Sequence, residues 1–480
     1  MKKFLSVFLS LMLIFTTVLP VFATDDSASK SYDEPIIVVR GIAFTGLTVD
    51  KGTENEHNCL VTPGAADIFS LIGELGKSYL LNNKLDIDAV LDFVDGMLGT
   101  MACDENGDSV YNVSAEYFPS AVCNYPDLKA AYEDVGVGEI AIVRNAVDYY
   151  GEDSVYYFTY DWRLDPSDTA DALNEMIELA KAEHNSEKVD IICCSMGGIV
   201  TDCYIYEYGY ESIATVIFNS STFCGTHITT DLFRGKVLIT ADMLKNLVKD
   251  LLGSDFFVDV LAKIGIFDKV AEIAMDIIAE NKDYVYDNFL RSTFATMPAL
   301  WALVQPDEYS ECIEYMFPTD ALKEQYAGLI DRTDHLNEIM QGMDELILSL
   351  PENGVKVAVV AGYNTQMVPV YDSAVYQSDG TLESDLMLGR AVVSETGKTL
   401  GDNYNGNRVS PDNCVDLSGV LFPEYTWAIK DGPHVMGSYN TDLGDFVFAL
   451  LGCTEQPTVD TFEQYPQFMI ADENLNIVYF

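Results

Sequence analysis

The chain has 480 residues, of which 49% are hydrophobic, so it can bury a core of the size found in enzymes. Acidic residues outnumber basic ones 76 to 27, and the formal net charge is −49. An electrostatic field of this sign repels nucleic acid and strongly anionic membrane surfaces, which argues against a phosphate-binding role. Ten cysteines are too few for a protein whose fold depends on a disulfide scaffold.

The first 23 residues have the pattern of a secretory signal peptide. Lys2 and Lys3 precede an apolar run over residues 4–19, and Ala23 ends a short segment typical of a cleavage site. A retained membrane anchor is the alternative, but the apolar run is short for a membrane span. We therefore expect a secreted mature protein that begins with a disordered polar leader over residues 24–33.

Strand-like apolar runs alternate with helical segments in the rest of the chain, which predicts a mostly parallel sheet covered by helices on both faces. The runs lie at residues 35–42, 155–160, 189–195, 214–218, 354–362 and 425–429, the last of which we expect to be the final strand. Two regions interrupt the alternation. Residues 63–134 predict a lid-like insertion with helices over 65–79 and 86–98, and residues 235–350 predict a helical cap. The α/β core is thus expected over residues 34–234 and 351–452, followed by a tail over 453–480.

The cysteines and histidines give little sign of a disulfide or a metal site. Cys103 and Cys123 flank a hairpin-like segment in which Asn106-Gly107 predicts a turn. We expect a disulfide between these two residues, because the chain is predicted to be exported. No spacing of cysteine and histidine predicts a zinc site, and we expect neither a metal nor a cofactor.

The most informative stretch ends at Ser195. The apolar run before it has the length of a strand, and Gly197 and Gly198 after it are followed by helical spacing. This layout is typical of a nucleophile elbow, in which a sharp turn exposes a serine hydroxyl above the sheet. Such a serine needs two backbone N–H groups that stabilise an oxyanion. We expect them from Met196 and from Ile42, which ends the first strand.

In a hydrolase with such an elbow, an acidic residue and then a histidine follow the serine along the chain. His335 and His434 are far enough downstream, and we predict His434 as general base because it directly follows a predicted strand. The candidates for the acid are Asp372, Asp379, Asp385, Asp402, Asp412 and Asp416. We predict Asp402, which follows Gly401 in a loop, as the residue that orients the histidine.

Several of these segments together resemble the lecithin:cholesterol acyltransferase-like group of α/β-hydrolases. The group's motifs are an early Pro-Gly strand end, Tyr-Asp-Trp-Arg, Gly-His-Ser-Met-Gly-Gly, a Phe-Pro-Ser cap segment, Gly-Asp-Gly-Thr-Val and a late histidine. Their counterparts here are Arg40-Gly41, Tyr160-Asp161-Trp162-Arg163, Cys193-Cys194-Ser195-Met196-Gly197-Gly198, Met297-Pro298-Ala299-Leu300-Trp301, Gly401-Asp402 and His434. The resemblance covers roughly residues 35–452.

The resemblance implies an α/β-hydrolase fold and acyl transfer from a lipid ester, such as a phospholipid-like one. The acyl group would pass through an acyl-serine to water or to an alcohol. It also implies that the insertion and the helical cap shape a lipid-binding groove. We therefore expect a lipid or ester substrate and transient contact with a membrane or lipid-aggregate surface.

Three other functions stay open at this point. A cap that packs wholly on itself would leave a small-ester carboxylesterase, whereas apolar cap faces left uncovered would select an apolar acyl chain. A thiol hydrolase would use Cys193 or Cys194 as nucleophile. A catalytically inactive binding protein is the third alternative, because Cys193-Cys194 replaces the usual Gly-His of the elbow.

Overall fold

The computed structural model of the protein describes residues 32–42, 46–61, 86–134, 140–245, 265–367 and 371–480, with separate positions from 67 to 78 and at 262 and 263. The predicted signal peptide, most of the leader and most of the predicted helix over 65–79 lie outside these residues. The strands are β1 (Ile36–Val39), β2 (Leu47–Val49), β3 (His57–Asn58), β4 (Val113–Ala115), β5 (Val155–Phe158), β6 (Val189–Ser195), β7 (Ile213–Ser221), β8 (Lys356–Tyr363), β9 (Thr365–Gln366), β10 (Gln377–Ser378), β11 (Val392–Val393), β12 (Val415–Asp416), β13 (Thr426–Lys430), β14 (Phe468–Ala471) and β15 (Ile477–Val478).

The helices surround this framework, and none of those described is long and apolar enough to cross a membrane. In chain order they are α1 (Ile87–Leu98), α2 (Pro126–Asp134), α3 (Ala141–Tyr150), α4 (Pro166–His184), α5 (Gly197–Tyr208), α6 (His227–Phe233), α7 (Ile266–Val285), α8 (Arg291–Thr293), α9 (Pro298–Ala302), α10 (Tyr309–Met316), α11 (Asp320–Gln325), α12 (Ala327–Ser349), α13 (Ser384–Met387) and α14 (Asp442–Leu451).

Eight strands form the central sheet in the order β15-β14-β13-β8-β7-β6-β1-β5. All neighbouring pairs are parallel except β14 with β15, so the prediction of an α/β-hydrolase fold with a mostly parallel sheet is confirmed. In a parallel sheet the carboxyl ends of the strands meet at one edge. The loops that follow β6, β8 and β13 therefore lie at the same edge.

The sheet is buried on both faces, which explains why its strands are continuously apolar rather than alternating. Along β6, Ile191 and Cys193 pack into the core on one face, while Ile192 and Cys194 pack into the core on the other. Side chains of a strand alternate between faces with a period of two, so adjacent residues must enter different cores. The two cysteines of the elbow are thus buried on opposite sides of the sheet.

The prediction that residues 425–429 form the last strand was wrong. The tail contributes β14, which pairs in parallel with β13, and β15, which closes that end of the sheet in antiparallel orientation. These strands have four and two residues. Segments this short carry too few positions for a period of two to be recognised.

The predicted disulfide was also wrong, because all ten cysteines lie among the described residues and all are free thiols. Cys103 is buried and pairs through its backbone with Ser109 across the turn. The Asp104 carboxylate closes this turn by accepting the N–H groups of Asn106 and Asp108. Cys123 lies instead on the surface just before α2, so the hairpin does not bring the two thiols together.

The described part of the chain between β7 and β8 is helical, and it has a core of its own. Phe233, Trp301, Tyr309 and Phe317 belong to one buried cluster that is separate from the cores on the two faces of the sheet. The Trp301 indole donates a hydrogen bond to the Ala295 carbonyl oxygen at 2.8 Å. The apolar surface of these helices is therefore covered partly within the cap and partly by the sheet, because Leu336 and Met343 of α12 pack into the core on one face of the sheet.

One buried carboxyl group makes the stability of the sheet dependent on pH. Asp190 lies in β6 and accepts a hydrogen bond from the Tyr150 hydroxyl at 2.9 Å. Burial raises the pKa of Asp190 from 3.8 to about 6, although the Tyr150 hydrogen bond and the Lys356 charge act in the opposite direction. The folded state therefore favours the protonated acid, and this contribution is lost as the pH rises through about 6.

We predict that Asp190→Asn raises the free energy of unfolding at pH values well above 6, by about 3 kcal/mol. The asparagine keeps an acceptor for Tyr150 and carries no charge. The gain should vanish below pH 3.8, where the wild-type acid is neutral in both states. Urea unfolding at both pH values measures it, with the exposed Asp460→Asn as the control. An equal effect of Asp190→Asn at both pH values would contradict the prediction.

Candidate active site

Ser195 ends β6 in a strained conformation. Its φ angle is 53°, in the left-handed region that residues other than glycine rarely adopt. The Ser221 hydroxyl donates a hydrogen bond to the Ser195 carbonyl oxygen at 2.5 Å and fixes the turn from the end of β7. Strain of this kind is typical of a nucleophile elbow, because a sharp turn lifts the serine side chain away from the sheet.

Two glycines allow the helix after the turn to begin against its neighbours. A Cβ on Gly197 would lie 2.6 Å from the Val39 carbonyl oxygen at the end of β1. A Cβ on Gly198 would lie 2.3 Å from the Ser221 hydroxyl at the end of β7. The first turn of α5 is therefore inserted between two strand ends, and its N–H groups lie at the edge of the sheet beside Ser195.

A histidine–carboxylate pair lies at the same edge, after two other strands. His434 follows β13, and its Nδ1 lies 2.7 Å from Oδ2 of Asp379, which follows β10. The Asp379 side chain is fully buried and that of His434 is 17% exposed. A carboxylate that accepts Nδ1–H favours the tautomer with its lone pair on Nε2, and a general base requires this lone pair.

The second oxygen of the Asp379 carboxylate is also hydrogen-bonded, within the turn around this residue. Oδ1 accepts the N–H groups of Thr381 and Leu382, each at 2.9 Å. A carboxylate held by two backbone donors cannot rotate freely, so Oδ2 stays directed toward His434. This arrangement is suited to fixing the tautomer and orientation of an imidazole ring.

A glycine at the end of β8 brings the acid and the base together. A Cβ on Gly362 would lie 2.0 Å from the Gly432 carbonyl oxygen and 3.0 Å from Asp379 Cβ. Gly432 belongs to the turn that carries His434. Any side chain at position 362 would therefore push apart the two loops that hold the pair.

The predicted acid, Asp402, is not the partner of His434, and this prediction is corrected to Asp379. Asp402 is exposed in a loop beside Gly401, whose carbonyl oxygen accepts a hydrogen bond from the Asn413 side chain. The neighbouring Leu400 N–H also bonds to Asn413. The loop is therefore attached to the region of β11 and β12, whereas His434 lies beyond β13.

A signal for Asp379 was present in the sequence. The motif Gly-Asp-Gly-Thr-Val is matched by Ser378-Asp379-Gly380-Thr381-Leu382 at its three central positions. Gly401-Asp402 matches only the first two positions, and the replacement of the motif's outer residues by serine and leucine hid the better match. Asp379 was one of the six candidates, but the glycine before Asp402 favoured the wrong loop.

The two expected oxyanion donors lie at corresponding positions just beyond two adjacent strands. Val39 of β1 is opposite Cys193 of β6, and Ile42 and Met196 each lie three residues beyond that pair. Met196 is buried, and Ile42 is partly buried. Their assignment as N–H donors to an oxyanion stays a prediction.

The Tyr-Asp-Trp-Arg motif is a structural anchor beside this edge. Arg163 is fully buried, and its guanidinium forms a two-pronged ion pair with Asp161 at 2.9 and 2.6 Å. It also donates to the Met101 carbonyl oxygen and to the Ser109 hydroxyl, at 2.8 and 2.9 Å. The end of β5 is thereby attached to the insertion. Because Arg163 is charged and fully buried, loss of its partner Asp161 would be costly.

The thiols next to the serine are unsuited to nucleophilic attack. Cys193 and Cys194 are fully buried in β6. Burial raises the pKa of the Cys193 thiol well above its usual value of 9.0, and the nearby Asp202 raises it further. Since the thiolate is the reactive form, Cys193 stays inert. No group of three His, Cys, Asp or Glu side chains in the described residues is placed to hold a metal ion.

Comparison with known proteins adds little to this geometry. No protein-family model matches the chain. No curated protein matches it either. Among solved structures, the Tle4–Tli4 complex is similar at 12% identity over 68% of this chain and 75% of that one, with a TM-score of 0.30. An esterase, RhEst1 from Rhodococcus sp. ECU1013, is similar at 12% identity over 54% of this chain and 72% of its own, with a TM-score of 0.18.

Similarities this weak carry no argument about the reaction. The site itself provides a strained serine at the elbow and a buried histidine–aspartate pair at the same edge of the sheet. A serine hydrolase uses this combination of a serine, a histidine and a carboxylate.

We predict that Asp379→Asn lowers kcat on an ester substrate by about 10⁴-fold, because an amide favours the wrong tautomer of the histidine in such triads. Asp402→Asn is the matched control, since it makes the same change in an exposed loop, and it should leave kcat unchanged. Steady-state kinetics of the two purified variants, with circular dichroism to verify folding, decides between the two acids. A large loss for Asp402→Asn alone would reverse our assignment.

Proposed function

We propose that the protein is a serine hydrolase of carboxylic esters, with Ser195 as nucleophile, His434 as general base and Asp379 as the acid. The observation that carries this proposal is the Asp379–His434 pair at the sheet edge where the strained Ser195 turn also lies. The three residues occur in the chain order serine, acid, histidine. Ser195 ends β6 and His434 follows β13, both in the parallel sheet, whereas Asp379 follows β10, which pairs with β9 outside that sheet.

The reaction follows from the roles of these groups. Ser195 Oγ attacks the ester carbonyl carbon while His434 Nε2 accepts the hydroxyl proton. The tetrahedral intermediate collapses with loss of the alcohol, which takes the proton from His434 and leaves an acyl-serine. A water molecule, deprotonated by the same nitrogen, then releases the acid and restores the serine. Asp379 stabilises the imidazolium in both halves of the cycle.

The backbone N–H groups of Ile42 and Met196 complete this proposal as oxyanion donors. Negative charge forms on the carbonyl oxygen of each tetrahedral intermediate, and preorganised N–H groups stabilise such charge. Met196 is also the N-cap of α5, whose positive N-terminal end favours an anion at the same place.

For the substrate we propose a lipid ester of the phospholipid-like class, with acyl transfer to an alcohol as an extension of hydrolysis. The support is the resemblance of the Tyr160–Arg163 and Ser378–Leu382 segments to the motifs of lipid acyltransferases. Export belongs to the same proposal, and so does transient contact with a lipid surface, because the first 23 residues have the pattern of a signal peptide.

The central test is Ser195→Ala. Loss of the nucleophile of a triad costs on the order of 10⁶-fold in turnover, so the variant should be inactive on a p-nitrophenyl ester. A fluorophosphonate probe should label the wild-type protein and not the variant, with mass spectrometry placing the label on Ser195. Labelling of the wild type at a cysteine, or none at all, would favour the thiol or the inactive alternative.

A second test addresses the acyl chain. We predict that kcat/KM rises from acetyl through butyryl to octanoyl esters, by about 10-fold or more per step in a pocket that fits the chain. Palmitoyl esters, presented below and above their aggregation limit, then report whether a lipid surface activates the enzyme. A steady fall after acetyl would identify a small-ester hydrolase.

A further inference from the structure

A second histidine–carboxylate pair lies outside the proposed catalytic set. His227 begins α6, and its Nε2 lies 2.7 Å from Oδ2 of Asp385 in α13. The two side chains are only 21% and 20% exposed. The other ring nitrogen of His227 lies 3.0 Å from the Gln305 side-chain amide. Both nitrogens are therefore engaged, and neither is free to act on a substrate.

The two residues before Asp385 attach the segment 383–385 to its surroundings at further points. Glu383 is 1% exposed, and its Oε1 accepts the Ile228 N–H at 2.8 Å and the Tyr371 hydroxyl at 2.7 Å. Ser384 donates a hydrogen bond to the Gly362 carbonyl oxygen at 2.8 Å. Three consecutive side chains thus attach one short segment to α6 and to the end of β8.

This segment directly follows the loop that carries the proposed acid. Ser378 and Glu383 face each other in an isolated antiparallel bridge, with Asp379 in the turn between them. A shift of Glu383 or Asp385 would therefore move the turn as a unit. Because Asp379 Oδ2 contacts His434 from this turn, such a shift would change the geometry of the pair.

We propose that the His227–Asp385 ion pair is a positioning element of the active site, which holds the Asp379 turn in the place where it orients His434. This proposal rests on the proposed function, because His227 and Asp385 can position the active site only if Asp379 and His434 act together in it. His227 and Asp385 contact each other and not the reacting atoms, so their effect is exerted through Asp379.

The charges around His227 give this element a pH dependence. Burial lowers the pKa of His227, but the hydrogen bond to Asp385 opposes this effect. The negative charges of Asp385, Glu383 and Asp231 add to the increase, and the pKa rises from 6.5 to about 9. Gln305 faces the ring and carries no charge. In the imidazolium both ring nitrogens carry protons, so the Gln305 side chain must turn its amide oxygen toward Nδ1 in this state. The attraction of the imidazolium for Asp385 is lost as the pH rises through about 9.

The test uses His227→Gln and Asp385→Asn in the full chain, because both changes keep the shape and a hydrogen-bonding group. His335→Gln is the matched control, since His335 forms a more exposed pair with Glu207 on the outer side of α5 and α12, at 3.5 Å. For a p-nitrophenyl ester we expect kcat to fall by about 10- to 10²-fold in the two variants, as misplacement of catalytic groups does, with KM unchanged. The control should match the wild type.

Two further readouts separate positioning from general stability. Wild-type kcat should decline above about pH 9, and His227→Gln should lack that decline. The far-downfield proton resonance of His434 bonded to Asp379 should shift in His227→Gln and Asp385→Asn but not in the control. A variant with a lower Tm but with unchanged kcat and an unchanged His434 resonance would overturn the proposal.

The same experiment distinguishes this proposal from the proposed function. If the wild-type protein hydrolyses no ester, the serine hydrolase assignment fails, while the His434 resonance still reports whether His227 and Asp385 position Asp379. If the wild type is active and both variants keep full kcat and the wild-type resonance, the positioning role fails and the hydrolase assignment stands.

Discussion

The close approach of three backbone segments at the end of β8 is the constraint on which the site depends. A Cβ added to Gly362 would lie 2.0 Å from the Gly432 carbonyl oxygen and 3.0 Å from Asp379 Cβ, distances that leave no room for a side chain. The acid and the base are 55 residues apart in the chain, and they lie in separate loops. Packing brings the two loops together. The Ser384 hydroxyl stabilises this packing by donating a hydrogen bond to the Gly362 carbonyl oxygen.

The parts of the site that depend on local pattern could be predicted from the sequence. Ser195 stands at the junction of an apolar strand with a glycine-led helix, and His434 directly follows a strand. Both features involve neighbouring residues, and elementary strand and helix preferences reveal them. The parallel sheet was predictable for the same reason, because its strands are buried on both faces and read as continuous apolar runs.

The parts that depend on distant contacts could not be predicted in this way. The choice between Asp379 and Asp402 is decided by which loop lies against His434. The motif match around Asp379 is partly hidden, because serine and leucine replace its outer residues. The tail strands are too short to have a recognisable period. The expected disulfide is absent. The turn at Asp104 is closed instead by hydrogen bonds from backbone N–H groups to the Asp104 carboxylate.

The position of β14 has a consequence for the strand that leads to His434. β13 ends just before the turn that carries this histidine, and residues 468–471 of β14 cover the outer edge of β13. A strand edge with unpaired backbone groups is prone to wrong pairing with another chain. β14 therefore protects this edge, and a variant without β14 would expose it beside the loop that holds His434.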